Sequence, residues 1–330
     1  MTEELRAALA ALTAAYEQEG LRRDAQALSE RYRLRTGTGQ RLLTGEREAA
    51  AYAAARMPAT FEAIRAALAW TLDCAGLSPR TLLDCGAGTG AAGWAADSLL
   101  PLEQVTCLER EAAMRAVGSR LMESGSAALA GAQWRDADLT ADAPLPRAEL
   151  VIEGYMLGEL AGEARIPAAR RLFDAAQQLV VFVEPGTPQG FENLRAVREA
   201  LTSQGAHVAA PCPAGCAACP IEAGDWCHFA VRVQRSRLHR SLKGGEAPFE
   251  DEKFAYLAVM HEPPARPCAA RVLRHPQIAP GRIVLTLCAA EGKAQRAVTK
   301  KDPLWKRVRK LGAGDAWPPD EEKVRTRSDP

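Results

Sequence analysis

The chain has 330 residues, 42 Lys/Arg against 41 Asp/Glu, and 47% hydrophobic content, enough for a full α/β domain with smaller modules around a substantial core. No run approaches the roughly eighteen uninterrupted apolar residues of a membrane helix, and Met1–Leu5 resembles neither a secretory nor a transit signal. The expectation is a cytoplasmic protein without membrane association, whose nine cysteines are reduced thiols or metal ligands rather than disulfides.

In chain order, residues 1–75 are rich in Ala, Leu, Glu and Arg with apolar positions at helical spacing, which predicts an N-terminal helical domain. Gly37-Thr38-Gly39 and Pro58 are read as breaks within it, and Gly76-Leu77-Ser78-Pro79 as its end. A βα pattern follows over 76–210. Thr81–Cys85 reads as a strand, Gly86-Ala87-Gly88-Thr89-Gly90 as a glycine turn, and the next stretch as an Ala-rich helix. Further strands are expected at Gln104–Leu108, Ala148–Glu153 and Gln178–Val183. Strands alternating with helices imply a parallel, doubly wound sheet. The last region, 211–330, holds a cysteine-rich stretch and two runs, His228–Val233 and Arg282–Leu287, expected as antiparallel edge strands. The tail after Lys300 is basic, then Pro-, Asp- and Glu-rich, and is expected to fray.

Glycines at a strand's carboxyl end let the backbone approach a ligand closely and adopt conformations a Cβ forbids. The spacing Gly86-x-Gly88-x-Gly90, preceded by Asp84, resembles motif I of class I S-adenosylmethionine-dependent methyltransferases. In that fold Glu109, at the tip of the next strand, is where an acid binds the ribose hydroxyls. An NAD-type Rossmann loop and a cofactor-free loop are the competing readings. The predicted class is therefore α/β, Rossmann-like, with cofactor-binding candidates Asp84, Gly86, Gly88, Gly90 and Glu109. The segment after the third of these strands, Ile152–Leu160, lacks the Asn/Asp-Pro-Pro-aromatic motif of amino-directed nucleic-acid methyltransferases. Methyl transfer needs mainly alignment, so no catalytic residue is assigned.

Cys212, Cys216, Cys219 and Cys227 fall within sixteen residues, separated by three, two and seven positions. Zinc and [4Fe–4S] clusters both take four thiolates; the single CxxC and the Cys-Pro steps at Cys212 and Cys219 lean toward iron–sulfur, with zinc as the alternative. Cys288, ending the run Ile283–Leu287, is a further candidate ligand. Cys74, Cys85, Cys107 and Cys268 sit singly and read as core or surface residues, and His228 as a hydrogen-bonded structural histidine.

Charge is unevenly distributed: 21 Lys/Arg against 29 Asp/Glu up to Cys227, then 21 against 12 from His228 onward. A basic C-terminal part points toward a polyanionic partner. Arg232, Arg235, Arg237, Arg240 and Lys243 are expected to run into a helix and neutralise phosphates, with Glu250-Asp251-Glu252 as internal partners of nearby arginines. Lys300, Lys301, Lys306, Arg307, Arg309 and Lys310 form a second patch, with Trp305 available for stacking.

Trp226-Cys227-His228-Phe229, Arg232–Ser236, His239-Arg240, Lys243 and Phe249–Leu257 resemble the Rsm-type methyltransferase-like family of the small ribosomal subunit, which includes mitochondrial assembly factors and bacterial relatives. Ala51–Thr60, Leu157–Leu160 and Val183–Pro188 extend the resemblance, which spans about Tyr32 to Trp317. It implies a class I methyltransferase fold, S-adenosylmethionine binding, a [4Fe–4S] cluster and docking on small-subunit rRNA. The cluster ligands it implies are Cys212, Cys219, Cys227 and Cys288, with Cys216 competing with Cys212 as the first. The protein then either methylates rRNA or serves as a non-catalytic RNA-binding assembly factor with a vestigial cofactor site.

Overall fold

The computed structural model describes residues 1–35, 45–243 and 246–319. The expected break at Gly37–Gly39 and the end of the tail lie outside the described residues. Three helices open the chain: α1 (Glu3–Ala14), α2 (Gln18–Arg35) and α3 (Glu46–Ala75). α3 runs through Pro58 rather than ending there. A proline inside a helix costs about 3 kcal/mol relative to alanine. Burial of Ala50, Ala53, Met57, Phe61, Ile64 and Leu68 along one face offsets that, since a packed apolar stripe outweighs local propensity. The helix ends where Gly76 turns left-handed and donates its N–H to Leu72 O.

The doubly wound part follows as β1 (Thr81–Cys85), α4 (Ala91–Asp97), β2 (Gln104–Leu108), α5 (Ala112–Met122), α6 (Ala127–Ala130), β3 (Gln133–Arg135) and β4 (Ala148–Gly154). A 3₁₀ turn (Leu157–Glu159), α7 (Gly162–Ala175), β5 (Ala176–Pro185), α8 (Pro188–Thr202) and β6 (His207–Ala210) complete it. Next come β7 (Phe229–Gln234), α9 (Arg237–Lys243) and β8 (Phe249–Met260). The main sheet has the order β3-β2-β1-β4-β5-β8-β6, with β7 also on β8. β1 to β5 are parallel to their neighbours, whereas β8 lies antiparallel to both β5 and β6. β1–β5 form the expected parallel part, and β8, whose second half, Phe254–Met260, is buried as an interior strand must be, joins it antiparallel.

β5 pairs with Phe254–Met260 along one edge of β8; β6 and β7 lie end to end along the other, against Ala258–Met260 and Phe249–Phe254. The intervening chain, 211–228, leaves the sheet beside Ala255–Leu257 and carries Cys212, Cys216, Cys219 and Cys227. A second sheet comprises β9 (Ala270–Val272), β10 (Gln277–Ala279), β11 (Arg282–Ala289), β12 (Gly292–Thr299) and β13 (Ala316–Trp317), with α10 (Trp305–Val308) between the last two. The run Arg282–Leu287, expected at an edge, is instead the central strand, flanked by β9, β10 and β12.

α1–α5 pack on one face of the main sheet in a continuous apolar core, and α7 and α8 cover the other. Where α3, β7 and β8 meet, Trp70, Phe229, Phe254 and Tyr256 stack with centroids 5.4–6.1 Å apart, an arrangement worth about 0.5–1.5 kcal/mol per pair beyond burial.

Candidate functional site: a glycine-loop pocket and a cysteine cavity

The loop after β1 is built for close approach. Gly86, Gly88 and Gly90 have φ of 72°, 56° and 88°, a region where a Cβ is strained. Gly86 and Ala87 donate their amides to Leu108 O at the end of β2. A Cβ on Gly90 would lie 2.6 Å from Met122 Cε. Glu109, immediately after β2, receives the Gly88 amide on Oε2 (2.8 Å) and the Glu111 amide on Oε1 (2.7 Å). Burial raises its pKa although both amides favour the charged form. Asp84 is buried at the end of β1, where its Oδ2 accepts from the Gly93 amide at 3.3 Å; burial lifts its pKa to about 7. Gly86, Gly88 and Glu109 line a pocket of about 100 Å³, together with Tyr52, Asp138 and Tyr155. Gly90 and Asp84 do not line it: they shape the turn from behind. Asp138 and Tyr52 were invisible to motif reading because each arrives from an irregular or distant stretch.

The absence of an acidic-Pro-Pro motif after β4 has a structural counterpart. Glu153 is fully buried and spends Oε1 on the amides of Met156 (2.6 Å) and Leu157 (3.0 Å). Tyr155 holds φ at 65°, unusual for a residue bearing a Cβ.

The second site is a small cavity of about 40 Å³ at the seam of the two sheets. Cys212, Cys219 and Cys227 line it from the segment between β6 and β7, Cys288 from β11, and Tyr256 and Arg271 from β8 and β9. Cys216 does not line it; its thiol lies 3.8 Å from Ala289 O instead. The loop is held from outside: Arg198 donates to Cys216 O and Ala217 O, the Ala214 amide to Cys268 O, and the Trp226 indole to Gly186 O. His228 stacks on Trp226 and meets its carbonyl oxygen at 3.3 Å, in line with the structural role expected of it.

Burial pushes the Cys212 thiol up to about 11, Cys288 to about 12, and Cys227 well upward; Arg198, Arg271 and Arg274, respectively, oppose this. Among the described residues no three His, Cys, Asp or Glu side chains converge as they would on one metal ion. The four thiols expected as a ligand set thus share a cavity wall rather than a single point.

Cys74 and Cys268, read as solitary, meet at the end of α3: a hydrogen bond with Cys268 and the Arg271 guanidinium, 3.4 Å from Cys74 Sγ, lower the Cys74 thiol to about 6. Cys85 and Cys107 are fully buried, as expected of core residues. In the basic block, Glu250 binds Arg235 and Lys243 and Asp251 binds Arg232, so these cations are satisfied internally while Arg237 remains exposed. Trp305 is half-buried against the second sheet's core, which corrects the expectation of a free stacking surface. Lys300, Lys301, Lys306, Arg309 and Lys310 around it are exposed.

A seven-strand order of 3-2-1-4-5 followed by an antiparallel strand inserted before the last, with a glycine loop after β1 and an acid after β2, defines a Rossmann-like α/β protein of the class I methyltransferase type. Residues 46–318 match the model of the mitochondrial small ribosomal subunit Rsm22 family, and the chain belongs to that family. It is 28% identical over 270 residues to the human mitochondrial ribosome assembly protein METTL17, covering 75% of this chain and 56% of the relative; the chain thus spans about half the length of that protein. Among solved structures it is similar to magnesium protoporphyrin IX methyltransferase from Synechocystis with bound S-adenosylmethionine (11% identity, TM-score 0.41, 72% of this chain and 97% of that one). It is also similar to the plantazolicin methyltransferase BpumL in complex with S-adenosylhomocysteine (12%, 0.42, 74% and 98%). No helix among the described residues is long and apolar enough to cross a membrane.

Proposed function

We propose that this protein assists assembly of the small ribosomal subunit through rRNA contacts, binding S-adenosylmethionine at the glycine loop and an iron–sulfur cluster at the cysteine cavity. The observation that carries the reading is the family match across 46–318. Gly86 and Gly88 would approach the cofactor through their backbones, and Glu109, with one lone pair free on each oxygen, would accept the ribose hydroxyls. Cys212, Cys219, Cys227 and Cys288 would hold the cluster as thiolates, so loading would release protons. The donor set fits: four thiols face one cavity, with Arg198, Arg271 and Arg274 near enough to favour their anionic forms. Four thiols spread round a cavity wall suit a polynuclear centre better than a single zinc ion, whose ligands meet at one point. Cys216, off the cavity wall, is left as a bystander.

The second reading is a non-catalytic RNA-binding assembly role with a vestigial cofactor site. Calorimetric titration of the cluster-loaded protein with S-adenosylmethionine separates a working cofactor site from a vestigial one. Co-sedimentation with small-subunit particles tests the assembly role, and absence of both binding and co-sedimentation would sink the whole reading. The human relative is mitochondrial, and on this reading the protein acts in the compartment where its small subunit is built.

A further inference from the structure

A cleft of about 1180 Å³ opens beside the glycine-loop pocket and shares Tyr52, Tyr155 and Glu159 with it. Its floor is formed by the chain after β4 and the end of β5, Gly158-Glu159 and Glu184-Pro185. These two stretches carry part of the family resemblance, and of them only Glu159 also lines the glycine-loop pocket.

Glu184 is fully buried on the cleft floor, and neither carboxyl oxygen has a hydrogen-bond partner among the described residues. A buried orphan of this kind is rare in folded proteins and destabilising. The surroundings hold it in place. A Cβ at Gly158 would lie 2.9 Å from Glu184 Oε2, so glycine there keeps room for the carboxyl. Asn193 on α8 accepts on Oδ1 from Arg165 (3.0 Å) and Gln189 (2.9 Å), while its amide group and the Leu157 and Gly158 amides lie near the carboxyl and oppose the effect of burial. Above the floor, Arg56, Arg165, Arg235 and Lys243 line the cleft wall; Arg235 and Lys243 share their charge with Glu250, and Arg56 lies 3.9 Å from Glu252.

We propose that this cleft admits one unpaired nucleotide of an RNA strand, with the Glu184 carboxyl hydrogen-bonded to the edge of its base and the strand's phosphates along the basic wall. The inference rests on the RNA-facing reading above and names the site that reading lacks. A neutral carboxyl offers one O–H donor beside one carbonyl acceptor, which complements a base edge that sets an N–H beside an acceptor. A cationic peptide would compete for the same carboxyl with Arg165, which already faces it. The neutral form is supported by burial, which raises Glu184 to about 7. The groups facing it are Glu153 from β4, Glu159 from the 3₁₀ turn, Arg165 from α7 and Asn193 from α8. Tyr52, Tyr155 and Glu159, common to both pockets, place such a base next to the cofactor pocket.

The test uses the full chain, a fluorescein-labelled hexaribonucleotide of mixed sequence, and the same strand with one central abasic site. Near pH 6.5 the intact strand should bind about tenfold tighter than the abasic one, the scale of one base-edge contact. Glu184→Leu should erase that difference while leaving abasic binding unchanged. Glu184→Gln, which also offers a donor beside an acceptor, should preserve it and make it independent of pH between 6 and 8, whereas in the parent it shrinks as pH rises. Discrimination retained by a folded Glu184→Leu variant, or lost in Glu184→Gln, overturns the proposal, as does stronger binding of a lysine-rich hexapeptide than of RNA. Loss of ribosomal co-sedimentation with base discrimination intact would instead count against the assembly reading alone.

Discussion

Arg271 offers the sharpest test of how the two sheets are joined. It is 2% exposed and reaches three partners from different parts of the chain: Nε donates to Pro211 O at 3.0 Å, Nη1 to Gly314 O at 3.0 Å and Nη2 to Cys74 Sγ at 3.4 Å. Arg271→Met keeps the apolar stem and removes the guanidinium. Two buried main-chain carbonyls then lose their donor, at about 1–3 kcal/mol each. Release from burying the cation offsets part of this, leaving a net loss of about 2–4 kcal/mol. The effect should also depend on pH. Cys74 is depressed from an ordinary 9.0 to about 6 by Cys268 and then Arg271. A lowered acid contributes its full stability above its unfolded pKa and loses it as pH falls through the folded one. The parent should therefore gain stability between pH 6 and 9, and Arg271→Met should flatten that rise. Urea unfolding of both proteins across this range measures it. A change below about 1 kcal/mol, smaller than one orphaned buried acceptor, with an unaltered pH slope would refute the argument.

Three further outcomes are expected. Glu184→Gln should stabilise the protein at pH 8, by roughly 3 kcal/mol at most from 1.36 kcal/mol per unit, because the parent's carboxyl is raised from 4.5 to about 7; the gain should shrink as pH falls and vanish below about pH 3.5, where both states are protonated, and thermal melts across this range check it. Cys219→Ser should lower iron retained after anaerobic reconstitution, whereas Cys216→Ser should leave it near the parent's level; equal loss in both would return Cys216 to the ligand set. Gly88→Ala should cost about 1 kcal/mol in stability for the left-handed backbone while weakening S-adenosylmethionine binding at least tenfold by calorimetry, since its added Cβ meets no protein atom within 4 Å and its effect falls on the ligand.

The sequence was most legible where local chemistry dictates local structure. β1 and β2 lie at their expected bounds, because short apolar runs punctuated by glycine have few alternatives. The acids of Glu250-Asp251-Glu252 found the arginines expected of them for a similar reason, since β7 and β8 bring Arg232 opposite Asp251. What escaped was set by distant pairing. β8 was concealed inside a charged stretch whose first half is exposed and whose second half is buried. Pro58 was read as a break because local cost is visible and tertiary burial is not. Cys74 and Cys268, 194 positions apart, share a site only because Cys74 ends α3 where the chain leading to β9 returns, with the Arg266 amide on Cys74 O. Glu184 follows an apolar strand and looks like a solvent-facing terminus; only the covering helices reveal it as an interior carboxyl.

The placement of β8 fixes an order of events for a chain emerging from a ribosome. The edge of β5 stays open until residues 254–260 have been made, because β8 alone covers it. β6 and β7 are both synthesised earlier, yet each has β8 as its partner. The parallel half can collapse first, but it carries an unprotected strand edge through the translation of the whole cysteine segment, and such edges invite non-native pairing. Cys212, Cys219 and Cys227 are thus synthesised before β8 closes the sheet and Cys288 only after it, so the four thiols of the cavity are brought together late, once β11 has been made.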